Sequence, residues 1–342
     1  MTIRELYQRT ESEMLASYAV RSSESTGRKT AIAECDMRTC FQRDVDRITH
    51  CKAFRRLMRK TQVFLSPEGD HYRTRLTHTL EVSRIARTIA RALKLNEDLV
   101  EAIALSHDLG HTPFGHAGEY ALNDVVPGGF FHNEQSVRVV EQIESDGKGL
   151  NLSFEVIDGI RFHTGTQYAS TSEGRLVKFA DRIAYINHDI DDAIRAGILK
   201  DDDIPTHLSK ILGNNYSIRI DTMVRDVISN SVEGNISMSA EIGQAMMELR
   251  EFMFEAVYKN PIAKGEETKA QDMLKKLYEF FVKNPDKLTD EYLRIADKDG
   301  VERAVCDYVA GMTDSYAVNC FERLFVPKGW GFIESSRIDQ FE

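Results

Sequence analysis

Between residues 75 and 93 the apolar side chains Leu76, Leu80, Ile85, Ile89 and Leu93 recur four or five positions apart, and Arg84, Arg87 and Arg91 occupy another face. This is the period of a helix with one side against a core. A second helix follows with Leu99, Val100, Ile103 and Leu105, and Asn96 and Asp98 offer caps for it, because short polar side chains accept from the free N–H groups of a first turn. So short a connection predicts that the two helices pack antiparallel. Helical periods return over residues 135–143, 154–163, 174–197, 218–229, 239–258, 268–283 and 301–325, whereas alternating strand patterns are scarce. The expected fold is all-α. Gly110, Pro113, Gly115 and Gly118 interrupt the pattern and predict a tight loop. Pro205, Gly213, Gly234 and Pro261 punctuate later helices without a long linker, repeat or low-complexity tract. One helical domain with a C-terminal extension is the simplest organisation.

Composition narrows the function classes. The 342 residues are 42% hydrophobic, enough to bury a substantial core. The net charge of −10 argues against a protein that coats nucleic acid through a surplus of cations. A local exception is residues 43–60, where Lys52, Arg55, Arg56 and Arg59 share a face at helical spacing ahead of Lys60, a pattern that fits phosphate binding or a merely solvated helix. No apolar run approaches the ~18 residues that span a bilayer, and the N-terminus lacks a secretory hydrophobic stretch, so no membrane partner and a cytoplasmic location are expected. The cysteines, Cys35, Cys40, Cys51, Cys306 and Cys320, are odd in number and form no C-x-x-C pair, which predicts reduced thiols rather than disulfides or a zinc knuckle.

The chemistry concentrates in Ser106–Glu119, where His107, Asp108, His111, His116 and Glu119 stand close together. Imidazole and carboxylate are the ligands divalent metals take, and a His/Glu pair can also move protons. His71, His78, His132, His163 and His188 fall in the same part of the chain, and His78 lies on the helix expected beside the His107-Asp108 doublet. Asp181 sits beside an apolar helical face with Leu176, Val177, Ile183 and Ile186, where a carboxylate is costly unless it binds a cation or pairs, for instance with Arg182.

His78, then His107-Asp108, then Asp181 resembles the HD superfamily of metal-dependent phosphohydrolases. Phe54–Leu57, Lys60–Phe64, Thr74–His78, His107–Glu119, Phe131–Gln135, Ala180–Ala193 and Ala310–Ala317 together look like a deoxyguanosine triphosphate triphosphohydrolase. The resemblance implies an HD-domain helical bundle with its metal core at about residues 50–200 and a helical extension at 201–342. It implies metal ligation of Mn²⁺, Mg²⁺, Co²⁺ or Fe²⁺ by His78, His107, Asp108 and Asp181. It further implies hydrolysis of dGTP or several dNTPs to deoxynucleoside and triphosphate, with His116 and Glu119 transferring protons and His111 near the phosphates. Arg75 would pair with the α-phosphate. Gln62, Tyr185 and Asp189 would read the sugar, and Lys178, Arg182 and Arg55 would add positive charge. Asp314 and Tyr316 are candidate base or subunit contacts, with structural roles favoured. A tetramer or hexamer is implied by analogy, and an allosteric dNTP and single-stranded DNA join the candidate partners.

Rival readings differ in chemistry. A metalloprotease H-E-x-x-H site is excluded because Asp108 replaces the longer Glu, and Gly110 with Pro113 interrupts the required helix. A 5′-deoxynucleotidase, a cyclic-nucleotide or alarmone hydrolase, and a non-catalytic dNTP sensor or DNA-binding module remain as alternatives.

Overall fold

Thr74 and Asn96 start the two helices on which the site is built. The Thr74 hydroxyl accepts from the Thr77 N–H in a reciprocal capping box, and the Asn96 side chain accepts from the N–H groups of Asp98 and Leu99. Asp98 is not itself a cap. It lies in the first turn, where a negative charge meets the helix dipole, and accepts from Gln42 Nε2 at 2.9 Å.

The computed structural model describes residues 1–62, 73–259 and 261–327. Val63, Phe64 and His71 lie outside the described residues. The first helices are α1 (Ile3–Met14), α2 (Cys40–Thr49), α3 (Lys52–Arg56), α4 (Arg75–Ala92), α5 (Glu97–Ser106), α6 (Gly115–Val125), α7 (His132–Arg138), α8 (Glu144–Gly147), α9 (Phe154–Phe162) and α10 (Ser172–Arg195). They are followed by α11 (Thr206–Leu212), α12 (Tyr216–Asn230), α13 (Ala240–Met253), α14 (Pro261–Lys283), α15 (Asp290–Asp299), α16 (Val301–Ala310) and α17 (Asp314–Phe325). Among the described residues only isolated bridges, such as Thr61 with Thr74, stand in for strands, and the fold is all-α. No described helix is long and apolar enough to cross a membrane. All five cysteines are free thiols.

The helix pair α4 and α10 forms the centre, with α5 packed on α4 and α9 on α10. Val82, Ala86 and Ile89 of α4, Leu99, Val100 and Ile103 of α5, and Leu176, Val177, Ile183 and Ile190 of α10 are fully buried. Each large aliphatic side chain so placed contributes ~1.5–3 kcal/mol of transfer free energy. In the C-terminal part α14 packs on α6, α16 and α17, so the later helices reach the helix that carries His116 and Glu119.

Three further expectations are corrected. Gly115 and Gly118 do not belong to a loop but to α6. Gly118 is there for close packing, since a Cβ would come within 2.1 Å of the Pro113 carbonyl oxygen. The period over residues 301–325 is broken into α16 and α17 at Gly311–Thr313, where the Thr313 hydroxyl accepts from the Tyr316 N–H and caps a new helix. The basic stripe of residues 43–60 is likewise split between α2, α3 and a short 3₁₀ turn, and its last member, Lys60, is buried.

Candidate active site

Helix ends converge at one buried point. His78 comes from the first turn of α4, His107 and Asp108 from the C-terminal end of α5, and Asp181 from the middle of α10. His78 Nε2 lies 3.1 Å from Asp181 Oδ1. His107 Nε2 lies 3.6 Å from Asp108 Oδ1 and 3.7 Å from Asp181 Oδ1. The other nitrogen of His107, Nδ1, donates to the Ala104 carbonyl at 2.6 Å, which leaves Nε2 as a bare lone pair. Nε2 is buried and has no hydrogen-bond partner among the described residues. A lone pair aimed at two carboxylates repels them unless a cation lies between, so this two-nitrogen, two-oxygen set fits a divalent metal.

The protonation of these groups follows from their neighbours. Burial alone would raise the Asp181 carboxyl, but the His78 hydrogen bond outweighs it and lowers the value to about 2. Burial opposes ionisation of Asp108 too, and the Arg75 guanidinium bonded to it holds it below the usual carboxylate range. Both carboxylates are therefore charged at neutral pH, as metal coordination would require. Behind His78, Nδ1 lies 3.3 Å from His188 Nδ1, and His188 Nε2 lies 2.9 Å from Glu81 Oε2. Such an outer chain orients a ligating imidazole.

Beside the ligand set stands a second group. Arg75, only 2% exposed, donates from Nη1 to Asp108 Oδ2 at 2.8 Å and from Nη2 to the Gln62 carbonyl at 3.4 Å, and its Nε has no partner among the described residues. Gln62 Oε1 is likewise buried without a partner among the described residues. Glu119 is held by His132, whose backbone N–H donates at 3.0 Å and whose Nδ1 donates at 2.9 Å. His132 Nε2 lies 3.2 Å from His163 Nε2, while His163 Nδ1 donates to the Ile160 carbonyl at 2.6 Å. Because His163 spends its proton on that carbonyl, His132 donates from both ring nitrogens and is an imidazolium. Burial would lower the His132 value, but Glu119 outweighs it and raises it, whereas burial and the His132 imidazolium push His163 down to about 3. His111 is buried, its ring stacked 4.7 Å from that of His132, and burial with Arg75 holds it neutral.

His116 is placed differently from these. Its side chain is 71% exposed, with Nδ1 3.6 Å from Glu119 Oε2, so it stands at the mouth of the site rather than inside it. The residues sequence reasoning left out of the site are His132, His163, His188 and Glu81. The only signal for His132 and His188 was their place in the Phe131–Gln135 and Ala180–Ala193 blocks, and nothing in the local pattern marks His163 and Glu81.

The remaining candidates divide along α10, where Lys178, Asp181, Arg182, Tyr185 and Asp189 share one face. Burial raises the Tyr185 hydroxyl to about 12, and Arg250 of α13 is among the charges that it feels. Arg182 lines an open groove with Tyr168, Phe179 and Met246. Lys178 donates to the carbonyls of Gly165 at 2.8 Å and Gln167 at 2.6 Å, and its ammonium lies over the Tyr168 ring. Asp189 is buried. Arg55 is exposed and donates to the His50 carbonyl at 2.7 Å.

The Glu119–His132 pair gives a stability dependence with a definite sign. His132 is raised above ~6.5, so its contribution is complete below that pH and disappears as pH rises through the raised value. Glu119 is lowered from ~4.3, so its contribution is present above that value and disappears as pH falls. In metal-free protein the difference in unfolding free energy between wild type and Glu119→Gln should therefore be widest at about pH 5–6.5 and narrow towards pH 9. A difference that stays constant over that range in denaturant titrations would show that the pair is not charged.

Comparison with known proteins places this geometry. An HD domain matches residues 75–186, and a phosphohydrolase-associated domain matches residues 236–323. Several deoxyguanosinetriphosphate triphosphohydrolase-like proteins align over nearly their whole length. The one from Caldanaerobacter subterraneus subsp. tengcongensis is 58% identical over 331 residues, covering 96% of this chain and 98% of the relative. That from Clostridium perfringens strain 13 is 52% identical, covering 96% and 99%. That from Geobacter metallireducens is 40% identical, covering 92% and 95%.

Proposed function

The chain belongs to the deoxyguanosinetriphosphate triphosphohydrolase-like family of HD phosphohydrolases, and on that premise we propose that it hydrolyses deoxynucleoside triphosphates to a deoxynucleoside and inorganic triphosphate. The observation that carries this reading is the joining of two kinds of site through one residue. Asp108 belongs to the ligand set with His78 and His107, and its carboxylate also clusters with His111 and His132, all ligand atoms of each group lying within 4.8 Å of one another.

His78, His107, Asp108 and Asp181 would hold the metal. When bound there, a divalent cation supplies Lewis acidity, polarising a phosphoryl oxygen and making water more acidic. Arg75 directs its free Nε and its partly used Nη2 to the α-phosphate, with Asp108 fixing the guanidinium plane. The His132 imidazolium, kept charged by Glu119 and His163, sits where negative charge grows on the phosphoryl group. Water adds to the α-phosphorus as the bond to O5′ breaks, and the electron pair leaves on O5′. His116, backed by Glu119, exchanges protons at the open edge of the site, where the 5′ oxygen departs. Gln62, Tyr185 and Asp189 contact the sugar, and Arg182, with Lys178 behind it, faces the outer phosphates.

Purified protein with Mn²⁺ and each of the four dNTPs, the products separated by anion exchange, tests this reading. Triphosphate and deoxynucleoside in equal amounts are expected. Release of diphosphate or single phosphates would overturn it, hydrolysis of monophosphates alone would make the chain a nucleotidase, and tight binding without turnover would make it a sensor.

A further inference from the structure

Helix α6 carries His116 and Glu119, yet its N-terminal N–H groups have no side-chain cap, and the local tie at its start is the Thr112 hydroxyl donating to the Gly115 carbonyl at 2.9 Å. The residue before it, Phe114, lies in left-handed backbone at φ 60° and ψ 27° and provides no side-chain cap. Gly115 is left-handed too, at φ +58°, and a Cβ there would come 3.0 Å from the Gln62 carbonyl oxygen. An aromatic residue adopts such a conformation only when its surroundings impose it. Here the surroundings come from 200 residues away. The Phe114 N–H donates to Asp314 Oδ1 at 3.0 Å, and Asp314 Oδ2 accepts from the Thr61 N–H at 3.0 Å and the Thr61 hydroxyl at 2.8 Å. Alongside, the buried Lys60 ammonium donates to the His111 carbonyl at 2.5 Å and the Ala310 carbonyl at 2.9 Å. The turn between α16 and α17 thus grips both the loop leading to His116 and the segment leading to Gln62.

We propose that Asp314 is a positioning residue for the reaction, its two carboxylate oxygens holding Phe114 and Thr61 so that α6 and Gln62 keep one register against the metal site. It is bonded to neither the proposed metal ligands nor His116, Glu119 and His132, and it acts through the Phe114 turn and the Thr61 segment. A carboxylate suits the task because each oxygen accepts from a different segment, and charge-assisted bonds to N–H groups are short and directional. A neutral amide leaves only one oxygen for two segments.

The kinetic part rests on the triphosphohydrolase reading, whereas the geometric part does not, and the test separates them. Hydrogen exchange by mass spectrometry on metal-loaded full-length protein should show faster exchange at residues 57–62 and 111–118 in Asp314→Asn, more in Asp314→Ala and less in Thr61→Val. With dNTP and Mn²⁺ at a temperature where every variant is fully folded, kcat should fall by roughly 10–100-fold in the Asp314 variants, as for a misplacement on the order of 1 Å. Mn²⁺ affinity should stay within about 2-fold of wild type, since every ligand remains in place. Asp314→Glu should recover part of kcat. Unchanged exchange at residues 111–118 would overturn the proposal, as would looser exchange with unchanged kcat, or a fall in kcat matched by loss of Mn²⁺. If wild type hydrolyses no dNTP, the proposed reaction fails, and the exchange data alone decide whether Asp314 holds the loop.

Discussion

Asp108→Asn should fold, lose Mn²⁺ affinity by more than ~100-fold, because even outer partners of ligands are worth 10–100-fold, and turn over dNTP at least ~10³-fold more slowly. The carboxylate has two employments. Oδ1 faces His107 Nε2 across 3.6 Å, and Oδ2 accepts from Arg75 at 2.8 Å. Alanine removes both, and an unpaired Arg75 only 2% exposed would cost about 3–5 kcal/mol, so inactivity of Asp108→Ala could reflect unfolding. Asparagine keeps an oxygen for the guanidinium and removes the negative charge that the metal needs. Metal content by plasma emission, affinity by calorimetry and a thermal melt separate the two effects. A folded Asn variant with full metal and full turnover would remove Asp108 from the ligand set.

Glu119→Gln should retain the metal and lower kcat by ~10²–10⁴-fold, the range for losing a positioned acid–base group. Burial disfavours a charged Glu119, yet His116 at 3.6 Å and the hydrogen bonds of His132 outweigh it and hold the carboxyl far below its ordinary range. Glutamine retains the size and removes the charge that keeps His132 protonated and His116 oriented. His116→Ala separates the roles, because it leaves the Glu119–His132 pair intact while deleting the exposed imidazole proposed to carry the proton. The loss in Glu119→Gln should exceed that in His116→Ala, with the double variant little worse than Glu119→Gln, as expected of groups acting as a unit. Loss of metal in Glu119→Gln, or equal full activity in both, would contradict this division.

What was legible in the chain was what repeats or what shares one element. The apolar period of α4 and α5 and the cap at Asn96 indicated two packed helices, and the period over residues 174–197 put Asp181 beside an apolar face, as an acid in need of a partner. What was not legible depends on distant pairing. His132 and His163 meet across 31 positions at 3.2 Å, and no local pattern distinguishes them from a surface histidine. Gly115 and Gly118 read as loop residues because glycine weakens helices in general, whereas here one accommodates a left-handed turn and the other a carbonyl pressed against it. Lys60 looked like one cation of a solvated stripe, and it is instead buried against two carbonyls contributed by residues 51 and 250 positions away.

The central claim is that water attacks the α-phosphorus at this site and that O5′ leaves, which a single isotope experiment tests most directly. Hydrolysis of dGTP with Mn²⁺ in H₂¹⁸O, followed by mass spectrometry of both products, should place one heavy oxygen in the triphosphate and none in the deoxynucleoside. Label in the 5′ hydroxyl of the deoxynucleoside, or its appearance in a diphosphate or single phosphate, would contradict the account.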